Sequence, residues 1–369
     1  MSKLPLIVIC SLLSASLGAQ TQPFFYKGQT YGSESQFNPL YSFLNYTLDT
    51  LQVPKSFDDE DLASRWREVR WNLGHPRAAI EMEGGWSRFI NRQIFPYRFT
   101  EKDWIPNYTL HLLGGGMTWR KNAEWFESHN FPMPRLTSFL IISAAELFQE
   151  VVEKKSTWHD DEIADVYLFR PAGILLYAWD PFARFAADTL RLQSWGYQPM
   201  YAFDWERESG RKGRIVNVGE NFIVRPNLFR TEGIRPFVFF GMTNLFGFSH
   251  KASSTDSISW GLGGAMLQAK PEEIRLSGGI FWDRNDSLLA SLVFNGTDNL
   301  AVRLNVHPGV IFGRSAWSPG VYVGLGDKFK DVNFGVTLKY SPLGVAGGRW
   351  TKLAREDSAS ETSMIRRYP

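Results

Sequence analysis

Residues 331–340 read Asp-Val-Asn-Phe-Gly-Val-Thr-Leu-Lys-Tyr. A β-strand has a period of two, so Val332, Phe334, Val336, Leu338 and Tyr340 share one face and Asp331, Asn333, Gly335, Thr337 and Lys339 the other. One face is wholly apolar and ends in an aromatic ring; the other is polar or small. Repeated along a chain, this pattern demands a cover for every apolar face, and lipid around a polar lumen is one such cover.

The pattern does repeat from about residue 195 onward. Trp195, Tyr197, Tyr201, Phe203 and Trp205 oppose Gln198, Asp204 and Glu206. Ile258, Trp260, Leu262 and Met266 oppose serines and glycines. Ile274, Leu276, Ile280 and Trp282 oppose Glu273, Arg275, Ser277 and Asp283. Leu288, Leu292 and Phe294 oppose Ser287, Ser291 and Asn295. Leu300, Val302, Leu304 and Val306 oppose Asn299, Arg303, Asn305 and His307. Val321, Val323 and Leu325 oppose glycines, and less regular strands cover 213–229 and 234–248. Polar turn residues at 283–286, 295–299 and 326–330 separate these runs. No helices interleave to cover the sheet. The expectation is an antiparallel transmembrane β-barrel of about eight to ten strands over 191–342, with 24–31 as a possible extra strand. Glu273, Arg275, Arg303, Asn305, His307 and Lys339 are then lumen-facing. A barrel of this size is largely filled by side chains.

Residues 1–19 read as a cleaved secretory signal. Lys3 is followed by a short apolar core, then Ser16-Leu17-Gly18-Ala19. The apolar run is too short to span a bilayer. Cys10 is the single cysteine and falls inside this signal, so the mature chain has no disulfide and no cysteine-metal site. A net charge of +2 gives no electrostatic case for nucleic acid. Aromatic residues make up 15% of the chain, which suits a bilayer interface.

Residues 20–190 read as a helical module, making the whole chain α+β. Helices are expected over 38–51, 57–73, 108–129, 134–154 and 161–192, the last interrupted near Pro171 and Pro181. Residues 343–369 are expected as a polar tail. Within the module, His111, Glu146, Glu150, Asp165 and Arg170 form a candidate polar cluster. Glu146 and Glu150 are four apart and share a helix face. His159, Asp160 and Asp161 precede Asp165. Structural ion pairing is the expected role, with no catalytic residue, cofactor or metal assigned. Gly114-Gly115-Gly116 lacks the lysine and hydroxyl of a phosphate loop.

Two resemblances follow from these residues. Asn333-Phe-Gly335-Val-Thr-Leu338-Lys-Tyr340 resembles the assembly signal of bacterial outer-membrane barrels, although 29 residues follow it here. That implies the barrel assembly machinery and outer-membrane lipid as partners. Asn72-Leu-Gly-His75-Pro76, Ala145-Glu146-Leu-Phe-Gln-Glu150, Asp165 and Arg170-Pro171-Ala172-Gly173 are similar to an uncharacterised bacterial family that joins an N-terminal helical segment to an outer-membrane β-barrel. The likeness spans about 70–190, and Arg77-Ala78 departs from the usual continuation after His75-Pro76. It implies architecture and an outer-membrane location.

The expected function is a structural, narrow-pore or envelope-assembly barrel. The alternatives are a soluble periplasmic binding protein and a lipid-modifying lipase or deacylase. His250 and Ser253 are the nearest thing to the His-X-Ser pair of barrel lipases, but their three-residue offset places them on opposite strand faces.

Overall fold

The computed structural model describes residues 23–52, 62–95, 104–153, 160–205, 213–227, 233–266, 274–295, 301–313, 315, 317–326 and 331–349. The predicted signal, His159 and Glu273 lie outside these residues, as does the tail beyond 349. The fold is α+β: a helical N-terminal half followed by one mostly antiparallel sheet of 13 strands.

Five helices organise the first half. Helix α1 (Pro39–Thr47) starts where Asn38 Oδ1 accepts the amides of Leu40 and Tyr41, with Pro39 pre-set for the first turn. Helix α2 covers Leu62–Gly74, α3 Gly115–Ser128, α4 Pro134–Glu153 and α5 Arg170–Ala178. Wider π-helical turns precede α3 (Asn107–Gly114) and α5 (Asp165–Phe169). Helices α3 and α5 approach very closely. A Cβ on Gly116 would lie 2.6 Å from the Gly173 carbonyl oxygen and from the Tyr177 ring. The triple glycine is thus a packing device. No helix among the described residues is long and apolar enough to cross a membrane.

The sheet runs β1 (Gln193–Ser194), β2 (Met200–Asp204), β3 (Arg214–Val216), β4 (Phe222–Val224), β5 (Ile234–Phe240), β6 (Thr243–Lys251) and β7 (Asp256–Met266). It continues with β8 (Ile274–Arg284), β9 (Ser287–Phe294), β10 (Val302–Val306), β11 (Pro319–Leu325), β12 (Val332–Leu338) and β13 (Gly344–Arg349). From β4 to β13 each strand pairs antiparallel with the next. The β8–β9 hairpin turns on Asn285 and Asp286, both at positive φ as a two-residue turn requires.

At its two ends the sheet has an unusual arrangement. β13 pairs with β2 in parallel, and β2 pairs antiparallel with β3. β1 pairs antiparallel with β4, in the same register frame: Gln193 faces Ile223 as Met200 faces Val216. Between them, Trp195 N–H donates to the Asn221 carbonyl and Tyr197 N–H to that of Gly219.

Burial sorts the faces. Arg303, Asn305, His307, Asn333, Thr337 and Lys339 are buried, as are Ser249, Ser259, Ser277 and Ser291. Phe246, Phe248, Trp260, Leu262, Leu276, Ile280, Phe294, Phe334, Val336, Leu338 and Val345 are exposed, Leu276 by 79%. The sheet therefore hides its polar face and presents its apolar one.

Five expectations need correction. The strands number 13, not eight to ten, because β1 to β4 are short segments that alternation alone does not separate. The sheet passes Tyr340: β13 occupies part of the presumed tail, where Val345 alternates with small residues and gives little pattern. The run from 195 to 205 does not share one face. Trp195 and Tyr197 are buried while Tyr201, Phe203 and Trp205 are exposed, since the phase changes in the irregular stretch between β1 and β2. Leu288 is also buried, beside a register shift at Trp282/Asp283 and beneath the turn Ser33–Gln36, whose Ser33 hydroxyl accepts the Leu288 amide.

Residues 24–31 form no strand. The amides of Phe24, Phe25 and Tyr26 all donate to the buried Glu124 carboxylate on α3, at 2.8–3.1 Å. The following turn Ser33–Gln36 is wholly buried. It crosses the ends of β9, β10 and β12: Ser33 and Glu34 meet Leu288 and Ser287, Gly32 N–H donates to the Pro308 carbonyl, Gln36 donates to Thr337, and Tyr340 N–H reaches the Ser35 carbonyl.

Candidate functional site

The five residues singled out in the helical half converge. The π-helical turn before α3 carries His111, α4 carries Glu146 and Glu150 one turn apart, and the π-helical turn before α5 carries Asp165, with Arg170 opening α5. His111 Nδ1 lies 2.8 Å from Glu146 Oε1, and its Nε2 3.6 Å from Asp165 Oδ2. Arg170 pairs with Glu146 Oε2, through Nε at 2.9 Å and a second guanidinium nitrogen. Tyr46 of α1 donates to the same oxygen at 2.7 Å, and its ring lies 4.4 Å beneath the Arg170 guanidinium. All of these groups are buried.

The electrostatics follow from that burial. Burial alone pushes His111 down, but the fields of Asp165 and Glu146 and the Glu146 hydrogen bond outweigh it and raise its pKa to about 10. Burial pushes Glu150 well above the usual carboxylate range, and the neighbouring acids Asp165, Glu146 and Glu162 add to it. Burial also lifts Asp165, against the opposing pull of His111. Arg170 falls to about 9 through burial. The cluster thus holds protons and is built on charge pairing. The hydroxyl beside the imidazole is that of Tyr46, 3.5 Å from His111 Nδ1, and it donates to the Glu146 carboxylate. Among the described residues, no group of three or more His, Cys, Asp or Glu side chains is arranged to hold a metal.

Sequence reasoning missed Tyr46, which only the packing of α1 on α4 brings in. It also missed the link of Asn72 Nδ2 to Glu162 Oε1 at 2.7 Å, which ties α2 to the same region. The other proposed pair does not form a site. Ser253 accepts the amides of Thr255 and Asp256 and so serves the β6–β7 turn, while His250 is exposed beside it in sequence.

On the sheet, Arg303, Asn305, His307 and Lys339 all lie on the buried face. Arg303 stacks on the Tyr197 ring at 4.2 Å. Asn305 Oδ1 accepts from Asn217 at 2.7 Å and Gln198 at 3.2 Å, and His307 Nδ1 lies 3.1 Å from Gln36 Oε1. Arg275 lies on β8 at a position whose side chain falls outside the described residues.

Comparison with protein-family models, with curated proteins and with solved structures returned no match.

Proposed function

We propose that this chain is an exported outer-membrane β-barrel protein whose helical module stoppers one end of the barrel. The observation that carries this reading is the inverted sheet: Arg303, Asn305 and His307 are fully buried while Trp260, Leu262, Ile280 and Phe334 face outward. A protein bathed in water places these residues the other way round; a barrel in lipid places them so.

The strand ends support closure. β1 and β2 read as one strand, because both keep the same register against β3 and β4, and the latter likewise read as one. Merging each pair of the 13 strands leaves eleven, and the parallel β13–β2 pair then joins last to first. A parallel seam is what an odd number of otherwise antiparallel strands requires. Closure removes the sheet edges, as a bilayer demands. Exposed aromatic rings near the strand ends, such as Trp205, Phe294, Trp282 and Tyr340, suit interfacial girdles.

The interior argues for a structural or tightly gated barrel over a wide pore. Trp195, Ile223, Phe237, Phe239, Leu245, Phe281, Leu288 and Val293 form one buried cluster on the covered face. The turn Ser33–Gln36 and the helices occupy the adjoining end. The resemblance of 70–190 to a family that joins helices to an outer-membrane barrel points the same way.

Fractionation tests the proposal. The full chain expressed in a Gram-negative host should remain with the outer membrane through alkaline carbonate washing and leave only in detergent. Release by osmotic shock alone sinks it.

A further inference from the structure

We propose that the stoppered end of the sheet carries an anion-binding vestibule for a hydroxylated phosphate ester, built by Lys251 with Lys27 and Arg191 of the N-terminal half. A cavity of about 310 Å³ lies there, lined by Lys27, Gln29, Arg191, Arg235, Lys251, Ser254, Thr255, Ser257, Asp283, Asn285 and Asp286. No apolar side chain lines it.

The charges decide the class of ligand. Lys27, Arg191 and Lys251 face two carboxylates, and Arg235 is engaged in an interaction of its own. Both carboxylates are already committed. Asp283 and Asp286 accept from Arg225, buried behind the wall, at 2.6–3.2 Å. Asp286 also takes Lys27 at 2.6 Å, and it pairs with Arg191. Lys251 pairs with no carboxylate among the described residues, and it is exposed. The cavity is therefore positive after its internal pairs are formed. Ser254, Thr255, Ser257, Gln29 and Asn285 add hydroxyl and amide groups, which match the hydroxyls of a glycerol or sugar moiety. The volume stands at the lower end of ligand pockets, roughly 300–1,000 Å³.

Strand register makes the vestibule a dead end. Lys251 faces Ser257, and Ser257 faces Asp283, across β6, β7 and β8. Two residues further along the same faces come Phe237, Ser249, Ser259 and Phe281, all buried. Ser259 donates to Ser249 at 2.9 Å, and Trp195 packs on Phe281 with ring centroids 5.6 Å apart. A ligand that enters meets a closed floor and binds without passing through.

The phosphate ester could come from solution or from a lipid headgroup, and the test separates them. Purified full-length protein in neutral detergent micelles is titrated calorimetrically with glycerol 3-phosphate. In a parallel arm the micelles are doped with phosphatidylglycerol, with phosphatidylcholine as control. Binding in the first arm identifies a soluble ester; binding in the second alone identifies a headgroup. In whichever arm binds, Lys251→Gln and Ser257→Asp should each weaken affinity about tenfold, the worth of a charge-assisted contact. Arg77→Gln, on an exposed helix remote in sequence, should leave it unchanged. No binding in either arm overturns the proposal, as does binding that Lys251→Gln and Ser257→Asp leave intact. The soluble arm does not require residence in a bilayer, so its outcome is separate from that of the fractionation experiment.

Discussion

At the scale of single residues, the buried Glu146 carboxylate is the pivot of the helical half. It holds His111, Arg170 and Tyr46 at once. Removing its charge leaves the buried Arg170 guanidinium unpaired and His111 with Asp165 alone, which costs about 3–5 kcal/mol. Glu146→Gln should lower the thermal midpoint of the helical circular-dichroism signal accordingly, and no bound metal should be lost on dialysis. A variant as stable as the parent removes the structural reading. The same cluster sets a pH dependence. His111 is raised to about 10 and Glu150 well above its ordinary range, so the native state binds more protons than the unfolded one. His111 therefore contributes stability that is complete below its unfolded pKa of about 6.5 and lost as pH rises through the folded value. Glu150 acts in the same direction, because ionising it in place is unfavourable. Unfolding midpoints should be higher near pH ~6 than near pH ~9. His111→Gln should flatten that slope; an unchanged slope counts against the assignment.

At the scale of elements, β8 offers the clearest test of what the apolar face meets. Ile280 lies mid-strand and is 51% exposed. Facing water, Ile280→Arg changes stability by less than about 0.5 kcal/mol. Facing lipid near mid-depth, it costs about 2–4 kcal/mol. Folding titrations into phosphatidylcholine vesicles should show the larger penalty. A second test concerns β13, which pairs with both β12 and β2. Truncation after Arg349 preserves these ladders, whereas truncation after Tyr340 removes five paired residues on each side. Only the shorter chain should fail to reach a folded, protease-resistant state. Equal folding of both would mean that β13 is dispensable.

For the whole molecule, the proposed stopper and the packed interior predict low permeability. Gln36 of the turn Ser33–Gln36 donates to Thr337 and lies beside His307 on the sheet, and the Glu34 amide donates to the Ser287 hydroxyl of β9. Proteoliposomes carrying the protein should therefore swell no faster in arabinose than empty liposomes. Rapid swelling would show an open water path and remove the stoppered reading. The helical half and the sheet also share anchors: Asn45 donates to the Tyr197 carbonyl at 3.1 Å and accepts the Gly219 amide at 2.9 Å. Such bonds couple the placement of the helices to the placement of β1 to β4.

The amino-acid sequence by itself determined the α+β class, the helical half and the alternation of β7 to β12, because those depend on local periodicity. It also singled out His111, Glu146, Glu150, Asp165 and Arg170 as charged groups in apolar helices, and burial gathers them. Periodicity says nothing about which face is covered or about pairing between distant strands. Tertiary structure alone decided that Trp195 and Tyr197 turn inward while Tyr201 turns outward, since their segment changes phase between β1 and β2. It alone recruited β13, a glycine-rich strand whose place comes from backbone hydrogen bonds to β12 and β2 and not from its side chains. It alone brought Tyr46 onto Glu146 and Lys27 and Arg191 onto Asp286, contacts between groups roughly a hundred residues or more apart in most cases. Such contacts depend on how the whole chain packs, and a local pattern carries no record of that.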